Sequence, residues 1–488
     1  MVNACVMSDL NNKIVLASKW STITEVMAKL IAPISSMVLA RVLTPEAFGV
    51  VATITMIISF AEIFTDAGFQ RYLIQHEFES DEEKSNTANV AFWTNLGMSL
   101  FLWLFIGIFS DKLAIWVGNP GLGNVITIAC VSILLAAFSS IQMALYKRSF
   151  DFKTLFYVRL VGVLIPLFVT IPLALWLRSY WALVIGTIAV HFSNAVILTV
   201  KSNWRPRLFY NVLYLKKMFS FCSWTVLDTI LVWATSYIDV FLIGVMLNEY
   251  YLGLYKTSIA TVGQIVSIIV AGILPVLMPS LSRVQNDFSE MRALLLKFQK
   301  YMAIILLPLG VGIFMFSDLI TTILLGEQWM ETSTFMGLWG LMSVITIIFS
   351  RFCSVVYPAI GKPRISVLVQ ILHLVVLIPA VYISAQYGFT ILYWTRSLVR
   401  LELVLVNVIF VYLLIQQSPL QMFKNILPEA FSAVVMGCVA YLLLSISDSM
   451  LMSFIYIPIC VLVYFGLLYI IPGEKYIMLI VKNKILKR

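Results

Sequence analysis

Eleven charged side chains stand more than three residues inside the long apolar stretches of this sequence, and their types and spacing limit the chemistry it can support. Glu25 and Lys29 are spaced i,i+4 and share one face of a helix, as do Glu62 and Asp66. Asp228 and Asp239, eleven residues apart, fall on nearly the same face three turns on. Lys256, Arg351, Arg396, Arg400 and Glu402 complete the set. Lys29, Lys256 and Arg351 are the candidates for holding phosphate, since lysine and arginine neutralise it through charge-assisted hydrogen bonds. Glu25, Glu62, Asp66, Asp228 and Asp239 are candidate cavity carboxylates that could bind Na⁺ or exchange protons, with Arg396, Arg400 and Glu402 as secondary candidates. The plainer alternative makes Glu25–Lys29 an in-helix ion pair and the others salt bridges between helices. There is no metal-ligand cluster and no Walker sequence, so neither a cofactor nor direct coupling to ATP is expected.

The residues around these charges set where they must sit. Of 488 residues, 61% are hydrophobic and 12% charged, against roughly 25% charged in a soluble domain. Mean hydropathy is +0.96. These values exclude a soluble enzyme, a disordered chain and a disulfide framework, and the six cysteines are scattered singly as small hydrophobes. The net charge of +9 does not point to nucleic acid, because lysine and arginine are few and do not interleave with stacking aromatics. A spanning helix needs roughly 20 apolar residues. The chain divides into fourteen such spans at 21–40, 47–70, 88–109, 125–145, 158–177, 181–200, 220–245, 252–279, 298–317, 333–356, 365–383, 389–414, 428–446 and 451–471. The shortest breaks are at 178–180 and 384–388. An ionisable group at that depth is costly unless it meets a partner or water, so each of the eleven is a functional candidate. His191 and His373 read as packed, hydrogen-bonded histidines, and the acidic loop from His76 to Glu83 as a solvated turn.

Loop charge tests this division. With the N-terminus cytoplasmic, the cytoplasmic segments and span edges hold 25 of the 33 Lys and Arg, and the opposite side holds Arg41, Lys112 and Arg178. The net charge then partitions into +14 inside, −4 outside and −1 within the membrane. The basic excess is an orientation signal that places both termini in the cytoplasm. No cleavable signal peptide is expected before the first span, and Met7 is an alternative start. Leu10, Ile14 and Ala17 suggest one face of a short interfacial helix over 1–18.

Sliding the sequence on itself by 204 residues aligns the first two spans with the seventh and eighth. Trp20 falls on Trp224, Leu43 on Leu247, Gly49 on Gly253 and Ala67-Gly68 on Ala271-Gly272, within eight identities over about 55 positions. An offset of six helices keeps the orientation, so the expected architecture is all-α, with two parallel six-helix lobes and a substrate path between them. Its segments are 1–18, an N-lobe of 19–211, a C-lobe of 212–416, and 417–488 for two extra helices and a basic cytoplasmic tail. Spans one, two, seven and eight carry seven of the eleven charges, as helices lining a shared aqueous cavity should. Together these features describe a carrier for a phosphate-bearing substrate, coupled to a cation.

Arg41-Val42-Leu43-Thr44-Pro45-Glu46-Ala47-Phe48-Gly49 after a polar first helix resembles the polysaccharide-transporter branch of the multidrug/oligosaccharidyl-lipid/polysaccharide exporter superfamily. So do Ile238-Asp239-Val240-Phe241-Leu242-Ile243-Gly244 and Pro358-Ala359-Ile360-Gly361-Lys362-Pro363-Arg364. The likeness runs over essentially the whole chain and is nearest to Wzx-type flippases, particularly the colanic-acid (WzxC-like) group. It implies a bacterial inner-membrane protein that moves an undecaprenyl-diphosphate-linked oligosaccharide repeat unit to the periplasmic leaflet by alternating access, coupled to H⁺ or Na⁺. A polysaccharide polymerase and a chain-length regulator would be its partners, beside the bilayer. The cationic cavity of the family would fall here to Lys29, Lys256 and Arg351. The rival readings are a lipid II flippase, a drug/cation antiporter of the same superfamily, and a polytopic polymerase. An antiporter typically has twelve helices, and a polymerase needs a sizeable outer loop with catalytic groups that the short loops here do not offer.

Overall fold

The computed structural model describes residues 2–66 and 68–471, with the backbone alone for residues 2–15, 17, 18, 66, 220–225, 228 and 272–275. Every regular element among them is a helix. Fourteen are long and apolar enough to cross a membrane: Lys19–Val42, Pro45–Thr65, Asp81–Ile108, Gly123–Arg148, Phe152–Leu177, Trp181–Lys201, Thr229–Met246, Glu249–Ala271, Phe288–Met315, Glu327–Ala359, Arg364–Ala385, Phe389–Ile415, Leu427–Ile446 and Met450–Ile470. That is the number expected from hydropathy, in the expected places, and the chain is a polytopic membrane protein. Both short breaks are tight turns. Arg178 takes a left-handed backbone (φ 46°) before the sixth span starts at Trp181, and three residues separate Ala385 from Phe389.

The N-terminal segment is helical, as expected, and continuous with the first span. One helix runs from Val2 to Val42, through Pro33. No glycine or proline separates residues 2–18 from the first span, so nothing in the sequence stops it. The side chains of Leu10, Ile14 and Ala17, on the proposed interfacial face, lie outside the described residues, as do the tail residues 472–488.

The chain forms two compact units, Met1–Lys256 and Thr257–Arg488. In the first, the second span buries Val50, Ile54, Ile58 and Ala61 against Val125, Ile126, Ala129 and Ile133 of the fourth and Val184 of the sixth. Buried Asn119, in the turn before the fourth span, ties to the second by an Nδ2–H bond to Thr53 Oγ1 at 3.1 Å. At the opposite ends of the helices, the acidic loop is more than a solvated turn. Ser80 caps the third span by accepting from the Glu83 N–H at 3.0 Å, and the Glu83 carboxylate accepts from the Glu79 N–H at 2.8 Å. Arg148 donates to the carbonyls of Leu73 and His76 at 2.9 and 2.6 Å, so this basic residue also fastens the loop.

In the second unit the ninth span packs on the tenth and thirteenth, the tenth on the twelfth, and the eleventh on the twelfth. The tenth is irregular, opening with a 3₁₀ turn at Glu327–Thr332 and carrying a π turn at Ile347–Arg351. Beside that π turn, buried Asn407 donates to Ser350 Oγ at 2.9 Å and accepts from the Tyr357 hydroxyl at 2.7 Å. π turns recur at functional positions, and here one ends on the candidate Arg351. The last two spans, outside the repeat, join this unit: the Tyr464 hydroxyl donates to the Ile304 carbonyl at 3.0 Å.

Candidate functional site

The two helix pairs related by the repeat turn in the same way. The Leu43 N–H bonds to the Leu39 carbonyl at 2.9 Å, and the Leu247 N–H to the Ile243 carbonyl at 2.9 Å, 204 residues on. Gly49 and Gly253 are each the fifth residue of the helix that follows its turn. Within the first unit these turns meet. Gly49 lies against the backbone carbonyl of Glu249, and Gly253 against that of Pro45; a Cβ on either glycine would overlap the opposing oxygen. Pro45 and Glu249 are themselves repeat equivalents, so the contact is reciprocal. Such self-complementarity is the property of an interface on a two-fold axis. A local pseudo-two-fold axis therefore passes between the turns. It also explains why the first compact unit reaches Lys256: the seventh span belongs to the second repeat by sequence and packs with the first unit.

Below the turn, the seventh and eighth spans bring two candidates close to two tyrosines. Asp239, 2% exposed, accepts from the Tyr255 hydroxyl at 2.6 Å and from the Val240 N–H at 2.8 Å. The ammonium of Lys256 lies 4.5 Å from the centre of the Tyr237 ring. Asp239 is thus an acceptor locked between helices, whereas Lys256 is only half-buried. In the first span Lys29 and Glu25 are 3.9 Å apart, a long in-helix pair whose carboxylate side is 62% exposed and therefore weakly held. Glu62 is half-buried in the second span. One turn earlier on that helix, Ser59 receives the indole N–H of Trp233 from the seventh span at 3.1 Å. The side chains of Asp66 and Asp228 lie outside the described residues.

The second unit holds the remaining candidates. Arg351 is exposed at the end of the π turn. Arg396 and Arg400, one turn apart, place their guanidinium groups 5.1 and 4.1 Å from the centre of the Trp339 ring, and Arg400 donates to Ser343 at 2.6 Å. The four-residue spacing of the arginines matches that of Trp339 and Ser343 on the tenth span, which makes the double contact possible. Glu402 turns to the eleventh span instead, where its Oε2 is 2.7 Å from His373 Nδ1. Tyr255, Trp339 and Ser343 are partners that no sequence pattern of the candidate charges singles out. Glu429, at the edge of the thirteenth span and outside the eleven, is fully buried at the start of that helix. The Trp339–Ser343 spacing opposite Arg396–Arg400 was the one available signal.

Residues 38–334 match the family model described as "Polysaccharide biosynthesis protein", more than half of the chain. The chain belongs to this family. Among curated proteins it is similar to an uncharacterized membrane protein in the cps region of Klebsiella pneumoniae, 24% identical over 382 residues and 78% of each chain. It is 21% identical to the lipopolysaccharide biosynthesis protein WzxC of Escherichia coli (strain K12), over 77% of this chain and 76% of that one. The succinoglycan biosynthesis transport protein ExoT of Rhizobium meliloti (strain 1021) is 22% identical, over 68% of this chain and 67% of that one. In fold, the chain is similar to the lipid II flippase MurJ in an inward closed conformation, with TM-score 0.76 at 15% identity over 93% of this chain and 98% of that one. An inward-facing multidrug resistance MATE family transporter of the MOP superfamily gives TM-score 0.62 at 13% identity, over 80% and 94%. The family thus has the fold of polytopic membrane transporters.

Proposed function

We propose that this chain is a flippase, with no chemical step of its own, that carries an undecaprenyl-diphosphate-linked oligosaccharide repeat unit across the bacterial inner membrane for surface polysaccharide synthesis. The family match and the likeness to WzxC and ExoT over about two thirds to three quarters of the chain support the substrate class. The observation that carries the mechanism is the reciprocal contact of Gly49 and Gly253. With the N-terminus cytoplasmic, as loop charge places it, both turns face the periplasm. The contact then clamps the outer ends of spans one, two, seven and eight, and parting it lets the glycan leave on that side. Because the two halves of the contact are equivalent, the clamp opens about its own axis, as alternating access between repeats requires.

Lys29, Lys256 and Arg351 neutralise the diphosphate at successive stages of the passage. The carboxylates Glu25, Glu62, Asp66, Asp228 and Asp239 balance them when no substrate is bound, and a H⁺ or Na⁺ gradient drives the cycle. A polysaccharide polymerase and a chain-length regulator receive the product in the periplasm. Deleting the gene is expected to accumulate one undecaprenyl-linked repeat on the cytoplasmic leaflet and to deplete the matching surface polysaccharide, with rescue by the intact gene. Normal polysaccharide and no accumulation, in a strain without a second flippase, would count against the reading.

A further inference from the structure

We propose that His373 and Glu402 form a proton-binding site within the spans of the second unit, and that loading and unloading it couples a pH gradient to movement of the twelfth helix. The coupling role rests on the transport reading above; the proton binding does not.

His373, on the eleventh span, is 4% exposed, and Glu402 projects to it from the twelfth. A separation of 2.7 Å between a ring nitrogen and a carboxylate oxygen places a proton between them, because two bare lone pairs would repel. With that proton alone the pair is a neutral imidazole and a carboxylate, of charge −1. A second proton, taken at the other ring nitrogen or shared with the carboxylate, brings the pair to zero. One proton is therefore exchanged per cycle, and no bond other than those to hydrogen is made or broken. A glutamine in place of either residue could make the same interhelical hydrogen bond without a charge, at less cost at this depth in a bilayer. The ionisable pair is what a proton site requires and a structural fastening does not.

The surroundings suit the exchange. Glu402 follows Arg400 by two residues, about 200° around the helix. Arg396 and Arg400 accordingly grip Trp339 and Ser343 on the tenth span while Glu402 holds the eleventh. The twelfth helix thus carries two permanent charges on one side and a switchable one on the other. The other titratable groups of the helices packed here are Glu327, Glu331, Arg351, Cys353 and Tyr357 on the tenth and Arg364 and Tyr382 on the eleventh. Tyr393 and Tyr412 on the twelfth and Lys424 just beyond it complete them. Among the described residues, none of them bonds to the imidazole or the carboxylate. A sodium ion, which wants a shell of oxygens, is a poorer fit, because one carboxylate oxygen is already engaged by a ring nitrogen.

Two measurements test the site. Infrared difference spectra of the purified full-length protein in lipid vesicles, taken between about pH 5 and about pH 8, are expected to show linked carboxylate and imidazole bands. Glu402→Gln should remove the linked signal and His373→Gln should displace it; spectra unchanged by both substitutions would overturn the site. In vesicles that contain the lipid-linked oligosaccharide, an imposed pH gradient should accelerate translocation by wild type, and Glu402→Gln should lower that acceleration about tenfold or more. Translocation that responds equally to the gradient in wild type and both variants would overturn the coupling role while leaving the transport reading intact. Linked bands in a wild type that moves no lipid-linked oligosaccharide would uphold the site and overturn the transport reading.

Discussion

Replacing Gly49 or Gly253 with alanine is expected to cut transport at least about tenfold while the protein reaches the membrane in normal amount. Each glycine is the fifth residue of its helix, where alanine is the better helix former by about 1 kcal/mol. The local effect on either helix is therefore stabilising, and insertion should not suffer. The harm comes from the opposing carbonyl, which a Cβ would overlap, and overpacking of this kind costs about 1–3 kcal/mol. That energy is levied only on the clamped state, so it shifts the population toward the parted one. Equal consequences follow at both positions, because the repeat makes them equivalent. A cysteine at Thr44 or Asn248, in a background lacking the exposed Cys438, should react faster with a membrane-impermeant thiol reagent once either alanine is present. Wild-type transport and unchanged labelling in both alanine variants would remove the clamp from the mechanism.

The second large effect concerns the cations. Neutralising Lys29, Lys256 and Arg351 together, with glutamine at each, is expected to abolish transport without loss of insertion. A charge-assisted hydrogen bond contributes about 1.5–3 kcal/mol, so three of them account for a factor of more than about a thousand. Lys29 lies 3.9 Å from a largely exposed carboxylate, half-buried Lys256 rests over a tyrosine ring, and Arg351 is exposed. Single substitutions should weaken transport in steps, and Lys29→Arg should retain most of it. Insertion is checked by membrane fractionation, and full activity of the triple variant would sink the assignment.

The fourteen spans are legible from the sequence because each must bridge the same hydrocarbon thickness, and because polar turns such as Gly118-Asn119-Pro120-Gly121 interrupt the apolar runs. The glycine identity at an offset of 204 is legible as well. That the two glycines face each other's helices is not, since identity says nothing of contact. The continuous first helix was hidden because its amphipathic beginning reads like a surface element. The π turn at Ile347–Arg351 arises from packing around Asn407, Ser350 and Tyr357, residues that are unremarkable one by one. His373 reads as a packed histidine and is one; its partner lies 29 residues away on another helix, beyond the reach of any periodicity. Glu429 shows the same limit, because a carboxylate at a span edge looks alike whether it meets water or a neighbouring helix.

The most direct test of the central claim is leaflet accessibility. Purified protein is reconstituted into vesicles with undecaprenyl-diphosphate-linked oligosaccharide, and a membrane-impermeant glycan-oxidising reagent is added outside. Without the protein, only the outer-leaflet half of the lipid should react. With it, the protected half should become reactive in the same incubation, and the Lys29, Lys256 and Arg351 triple variant should restore protection. A protected half that persists in the presence of the folded wild-type protein, with or without an imposed ion gradient, would contradict the account.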